Sequence, residues 1–249
     1  MPDPKSPDGY RELLYERYAE ANPIMPSSLS EAELHRQGRQ LKYYLRGWLP
    51  ARKDAAIFEL GSAYGRLLNL LKSEGYTRFT GSDVSEDQVR LARQMGVPVE
   101  FGDGVAMLES RTEALDLIVA IDVIEHLTKP EIVRFFNAAA RALRPGGRII
   151  LQTPNAASPW GMSLQCGDFT HETAFTPDVL DGLLTVFGFK AIEFREVGPI
   201  PFGNSLASTM RALLWVVVKA GLRTMELIET GSRGPAVLTR SMLVTATRA

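Results

Sequence analysis

This sequence predicts a doubly wound α/β fold, a mostly parallel sheet between two helix layers, and three observations carry that reading. The stretch AAIFELGSAYGRLLNLL, residues 55–71, reads as a short apolar strand, a turn holding Gly61 and Gly65, and a helix. Leu67, Leu68, Leu70 and Leu71 recur there at helical spacing. The run LDLIVAID, residues 115–122, is nearly continuous in apolar residues, as a strand covered on both faces is. Between and beyond these, strand-like and helix-like segments alternate.

Composition bounds the function. With 249 residues and 45% hydrophobic content, the chain can bury one large core. A net charge of -1 gives no basic field for nucleic acid. The single cysteine, Cys166, permits no intramolecular disulfide and argues against a cysteine-based zinc site. His35, His126 and His171 are scattered along the chain, so no metal site is expected. The opening MPDPKSPDGY lacks the apolar stretch of a secretory signal, and no run approaches the roughly 20 apolar residues of a membrane span. The expectation is a cytoplasmic protein, with contact at the inner membrane face left open.

The chain divides into an N-terminal helical segment, residues 1–50, and a domain covering 51–249. Residues 1–9, with three prolines, read as disordered, and Arg11 to Ala21 and Glu31 to Trp48 as helices. Residues 79–83 end a second strand. Ser85 with Gln88 offers a capping box for a helix over 86–95, and residues 97–101 form a third strand before Gly102-Asp103-Gly104. After the strand over 115–122 comes a helix from Pro130 to Leu143. A glycine turn over 144–148 and a strand over 149–153 follow. Residues 154–176 form a long loop whose Trp160, Phe169, His171 and Phe175 argue for function rather than disorder. Thr176 caps a helix running to Phe187, a strand spans 190–197, and a last strand spans 236–247. Between these two strands, residues 203–229 form an amphipathic helix with Arg211, Lys219, Arg223, Glu226 and Glu229 on one arc. Its apolar arc packs on the core, on a second subunit or on a membrane surface.

The chemistry begins at Glu59. An acid just before the glycines repels a pyrophosphate but suits a ligand carrying an ammonium and a sulfonium. Glu59-Leu60-Gly61-Ser62-Ala63-Tyr64-Gly65 resembles the first motif of Rossmann-like S-adenosylmethionine (SAM) methyltransferases, with Ala63 in place of the central glycine. Its methyl fits if φ is negative and crowds the ligand if φ is positive. Asp83, 18 residues beyond Gly65, stands where these folds hold an acid against ribose hydroxyls, and a simple cap is its alternative. With Ser85 as cap, Asp83 is left to the ligand, and Val84 lies by the adenine face. By the resemblance, Asp103, before Gly104, accepts from the adenine amino group; otherwise it is a turn aspartate. Asp122-Val123-Ile124-Glu125-His126-Leu127 is similar to the segment D-x-x-E-H-L of ubiquinone-type O-methyltransferases, and LRPGGRIIL (143–151) to another hallmark of the group. This places Asp122 near the methyl donor and His126 on the acceptor side, where a packing or capping histidine is the alternative.

Residues 168–177, DFTHETAFTP, resemble a subset of methyltransferases associated with bacterial surface-polysaccharide and glycan biosynthesis. The resemblance implies a SAM-dependent methyltransferase with a seven-stranded sheet, an antiparallel last strand, N-terminal helices and a helical insertion at about 203–230. It implies a sugar hydroxyl as acceptor, His171 as base, and Asp168 or Glu172 as its orienting carboxylate. Trp160 and Tyr43 then belong to the acceptor site, with Arg39, Lys42 and Tyr43 on a helix near the cofactor carboxylate. A phenol or carboxylate acceptor, a non-catalytic SAM-binding protein and an NAD-dependent enzyme are the rival readings.

Overall fold

The structure, a computed structural model, describes Leu14 and residues 31–201, 205–232 and 234–249. Apart from Leu14, the expected helix over 11–21 lies outside the described residues, as do the expected disordered start and the 22–30 segment. Seven strands form one sheet: β1 (Ile57–Leu60), β2 (Phe79–Asp83), β3 (Val99–Phe101), β4 (Leu115–Ile121), β5 (Leu143–Pro154), β6 (Phe189–Glu196) and β7 (Ser241–Arg248). Their order is β3-β2-β1-β4-β5-β7-β6, with only β7 antiparallel to its neighbours. The helices are α1 (Glu31–Tyr44), α2 (Arg66–Ser73), α3 (Glu86–Gln94), α4 (Gly104–Glu109), α5 (Lys129–Ala142), α6 (Gly161–Gln165), α7 (Pro177–Val186) and α8 (Leu206–Thr230).

Period-two alternation splits the sheet's side chains between two cores. Phe58, Ile118, Ala120, Ile149 and Leu151 meet Phe135, Phe136 and Ala139 of α5 on one face. Ile57, Leu117, Val119 and Ile150 meet the four leucines of α2, Val89 and Ala92 of α3, and Leu41 of α1 on the other. Both faces are buried, which is why β4 reads as an unbroken apolar run. The strand order reverses between β1 and β4, opening a crevice at their C-terminal ends.

Several boundaries move. Helix α1 stops at Tyr44 rather than Trp48, and the chain then turns through Gly47 at φ +75°. The Arg144–Gly147 turn appears as a bulge: β4 advances from Leu115 to Leu117 while β5 advances from Leu143 to Arg148. Strand β7 begins at Ser241, because the Asn155 side-chain amide holds the carbonyls of Val237 and Thr239. The capping box expected at Ser85 does not form: the Ser85 side chain makes no cap hydrogen bond and Gln88 is buried. Helix α8 runs unbroken through Gly221, and Ser208 is its one buried residue, so its apolar arc does not pack on the core.

Candidate functional site

The glycine turn sits at the C-terminal end of β1. Gly61 (φ +67°) and Gly65 (φ +81°) both need the left-handed region, and packing adds a second reason. A Cβ on Gly61 would lie 2.4 Å from Val123, and one on Gly65 2.5 Å from Val97. Backbone conformation and packing thus require these two glycines whatever approaches the turn. A Cβ on Gly104 would likewise strike Ser82 and Leu60, so that glycine seats α4 against the sheet. Ala63 also has positive φ, +46°, a conformation that non-glycine residues rarely adopt.

Asp83 holds this loop. Its carboxylate accepts from Ala63 N at 2.7 Å and from Ser85 N at 2.9 Å, so it is more engaged than expected; the second bond braces the residue before α3 without capping a helix amide. A carboxylate has about four acceptor positions, so room remains for a ribose diol. Burial pushes the Asp83 carboxyl up, against the backbone amides that lower it. Glu59 is buried and Oε2 has no hydrogen-bond partner; burial raises its carboxyl well above the usual range, with Arg66 opposing. Ser62, also buried, donates to the Glu59 carbonyl. Val84 is exposed beside them. Asp103 caps α4 through Val105 N at 2.8 Å and pairs with Arg134 at 3.0 Å, which supports its turn-aspartate alternative.

At the end of β4, Asp122 adopts φ +54°, an uncommon conformation for this residue type. Both its oxygens accept from Gln152 Nε2, at 3.0 and 2.9 Å. Water reaches this carboxyl, yet the protein wrapped around it pushes it up, with Gln152, Arg66 and His171 opposing. Two strand-end acids and an orphaned buried carboxyl oxygen thus converge on one crevice. That donor set fits a ligand with an ammonium and a sulfonium and does not fit a pyrophosphate.

Beyond Asp122, the fold brings His126 and His171 together, with ring centroids 4.7 Å apart in an edge-on arrangement. The loop is folded back here by the amides of Glu172 and Thr173, which both donate to the Glu125 carbonyl. His171 Nδ1 lies 2.9 Å from the Gln165 carbonyl, which fixes that nitrogen as the donor and makes Nε2 the basic one. Thr170 donates its hydroxyl proton to Asp168 at 2.6 Å and so accepts from His126 Nδ1 at 2.9 Å. Asp168 therefore orients His126 through Thr170, and its backbone carbonyl accepts from the His171 amide at 3.3 Å. Glu172 is exposed and touches this region through its backbone.

Glu125 is a residue that the sequence pattern named without a role. It is buried, its Oε2 has no hydrogen-bond partner, and burial and then Asp122 push its carboxyl well up. Ligand atoms of Glu125, His126 and His171 all lie within 4.8 Å of one another, a set that a divalent cation could use. Two of the three histidines scattered in sequence, His126 and His171, thus meet in space. Gln152 and Thr170 were also missed; a polar residue closing an apolar strand was the available signal for Gln152.

Other expected residues stand elsewhere. Tyr43 lines a cavity of about 300 Å³ at the outer sheet edge with Arg46, Arg195 and Trp215, a cavity lined by none of the strand-end acids or histidines. Lys42 is paired with Glu74. Trp160 is half exposed and packs 5.9 Å from Trp215. The described link between α1 and the glycine loop is Tyr64, whose hydroxyl donates to Gln37. A second pocket lies beside α3 and Phe101, the strand partner of Asp83, and none of the strand-end acids or histidines lines it.

The sheet order and its acid-lined crevice define the class: a Rossmann-like SAM-dependent methyltransferase fold. The Methyltransferase domain family matches residues 32–193, and the chain belongs to that family. It is 30% identical to the ubiquinone biosynthesis O-methyltransferase of Paramagnetospirillum magneticum over 113 residues, 43% of this chain and 44% of the relative. It is 27% identical to the 27-O-demethylrifamycin SV methyltransferase of Amycolatopsis mediterranei over 127 residues, 48% of this chain and 46% of the relative. The chain thus spans less than half the length of each of these relatives. In fold it is similar to a SAM-dependent methyltransferase from Archaeoglobus fulgidus, with TM-score 0.62, 18% identity, and coverage of 95% and 99% of the two chains. The cofactor of the family is SAM.

A pH dependence follows. The raised carboxyls of Asp83, Asp122 and Glu59 favour the protonated form of the ligand-free protein above the ordinary carboxylate range of about 4. Their contribution to stability is full below that range and is lost as pH rises through the raised values. A cationic ligand favours the ionised forms, so SAM affinity should climb with pH above about 4 and then level off. Melting curves with and without SAM across that interval check it; flat affinity would remove these acids from the cofactor site.

Proposed function

We propose that this chain is a SAM-dependent O-methyltransferase acting on a hydroxyl of a sugar, in a glycan or glycan precursor. The observation that carries a hydroxyl acceptor is the contacting His126–His171 pair beside Asp122, with each Nδ1 tied to a neighbour so that the basic nitrogen is Nε2. The cofactor supplies a methyl already activated on its sulfonium. His171 takes the hydroxyl proton as the C–O bond forms, the C–S bond breaks, and its electron pair returns to sulfur. Gln152 and Gln165 hold Asp122 and His171 in place, and Thr170 with Asp168 holds His126. Exposed Phe169 between polar Asp168 and Thr170 suits a sugar, whose faces stack on rings and whose hydroxyls need partners. The reading puts the enzyme in the cytoplasm, where a free exposed thiol such as Cys166 stays reduced.

A phenolic acceptor is the second reading, favoured by the likeness to ubiquinone biosynthesis O-methyltransferases. The test is incubation with SAM and separate panels of sugars and phenols, reading the mass gain of one CH₂. Methylation of sugars is expected; methylation of phenols alone would replace the glycan reading. Activity should also survive EDTA. Loss on EDTA with recovery on added zinc would transfer the proton-removing role from the imidazole to a cation held by Glu125, His126 and His171.

A further inference from the structure

We propose that α8 docks this protein on an anionic lipid surface. The helix is amphipathic with its faces reversed. The side turned to the body is polar: Ser208 donates to the Ile200 carbonyl at 2.7 Å, and Trp215 and Lys219 both donate to Glu196 Oε2, at 3.3 and 2.8 Å. The opposite side carries Leu206, Met210, Leu213, Leu214, Val217 and Ile228, with Val217 69% and Ile228 80% exposed. Twenty-five residues at 1.5 Å each make this stripe about 37 Å long, far more apolar surface than a solvated helix carries. No helix of the described residues is long and apolar enough to cross a membrane, so such a stripe meets lipid by lying in its surface.

Charge points to lipid. From Leu206 to Arg223 the helix holds three cations and no acid: Lys219 pairs with Glu196, Arg211 and Arg223 are exposed, and Glu226 and Glu229 follow only in the last two turns. At 3.6 residues per turn, Arg211 and Arg223 fall on opposite long edges of the stripe, where their heads reach phosphates while the stripe inserts.

The test is flotation of the full chain with vesicles of phosphatidylcholine alone or mixed with phosphatidylglycerol. Binding is expected to the mixed vesicles and not to phosphatidylcholine alone, and to be reversed by high salt. Arg211→Gln and Arg223→Gln should each weaken binding about fivefold, the equivalent of about 1 kcal/mol per cation near the surface. Val217→Asp should abolish binding; its site is exposed, so an unchanged melting temperature and an unchanged shift with SAM should accompany that loss. Failure of the wild type to float with either vesicle overturns the proposal. So does a wild-type dimer that Val217→Asp splits without any vesicle binding, which would assign the stripe to a second copy.

Discussion

His171→Ala is expected to lower methyl transfer by about 100- to 10,000-fold, the range for loss of a general base, while the SAM-induced shift in melting temperature stays at the wild-type value. The separation follows from position. His171 stands beyond Asp122, beside His126, its Nδ1 is tied to the Gln165 carbonyl, and its loss leaves the Asp83 loop intact. His126→Ala should do different damage. It removes the hydrogen bond from His126 Nδ1 to the Thr170 hydroxyl and loosens the loop that Thr170 and Asp168 brace, so acceptor KM should rise along with a fall in kcat. A dead His126→Ala beside an active His171→Ala would reverse the roles. Full activity in both would mean that alignment alone accelerates the reaction.

Asp83→Ala is expected to weaken SAM binding by on the order of 1–3 kcal/mol, the scale of hydrogen bonds to a charged group. Part of that loss is indirect, because the substitution also strands the Ala63 and Ser85 amides and frees a turn in which Ala63 is held at positive φ. The two parts are separable. A SAM analogue lacking one ribose hydroxyl should bind the wild type more weakly, yet bind Asp83→Ala no worse than SAM does. Additive losses would mean that Asp83 acts only through the loop. Unchanged affinity in a folded variant would remove the ribose contact altogether.

Much of this molecule is legible in the chain because its signals are local. The continuous apolar run of β4, the leucine spacing of α2, Pro130 at the start of α5 and Thr176 capping α7 each depend on a few neighbouring residues. The strand-end acids Glu59, Asp83 and Asp122 were legible for the same reason: in a parallel sheet, the residue that closes an apolar strand lies at the crevice.

What the acids do once there was less legible. Asp83 and Asp103 each carry a structural duty, one bracing the glycine turn and one capping α4 and meeting Arg134, and only the packed loop reveals it. Gly61 and Gly65 were readable as glycines that a turn requires. That their missing side chains also make room for Val123 and Val97 depends on elements 62 and 32 residues further on, and packing at that separation leaves no trace in local spacing.

The amino-acid sequence by itself determined the alternation of strands and helices, the acid-glycine turn, the family and the amphipathic character of residues 206–230. Tertiary structure alone decided that His126 and His171 meet across 45 residues, that Asp168 serves His126 through Thr170, and that α8 turns its polar face inward. The physical reason is the same in each case. Periodicity and capping are set by side chains within a turn or two of one another, whereas the meeting of distant groups is set by how the chain closes. Here the closure is the Glu172 and Thr173 amides on the Glu125 carbonyl, and Trp215 and Lys219 on Glu196.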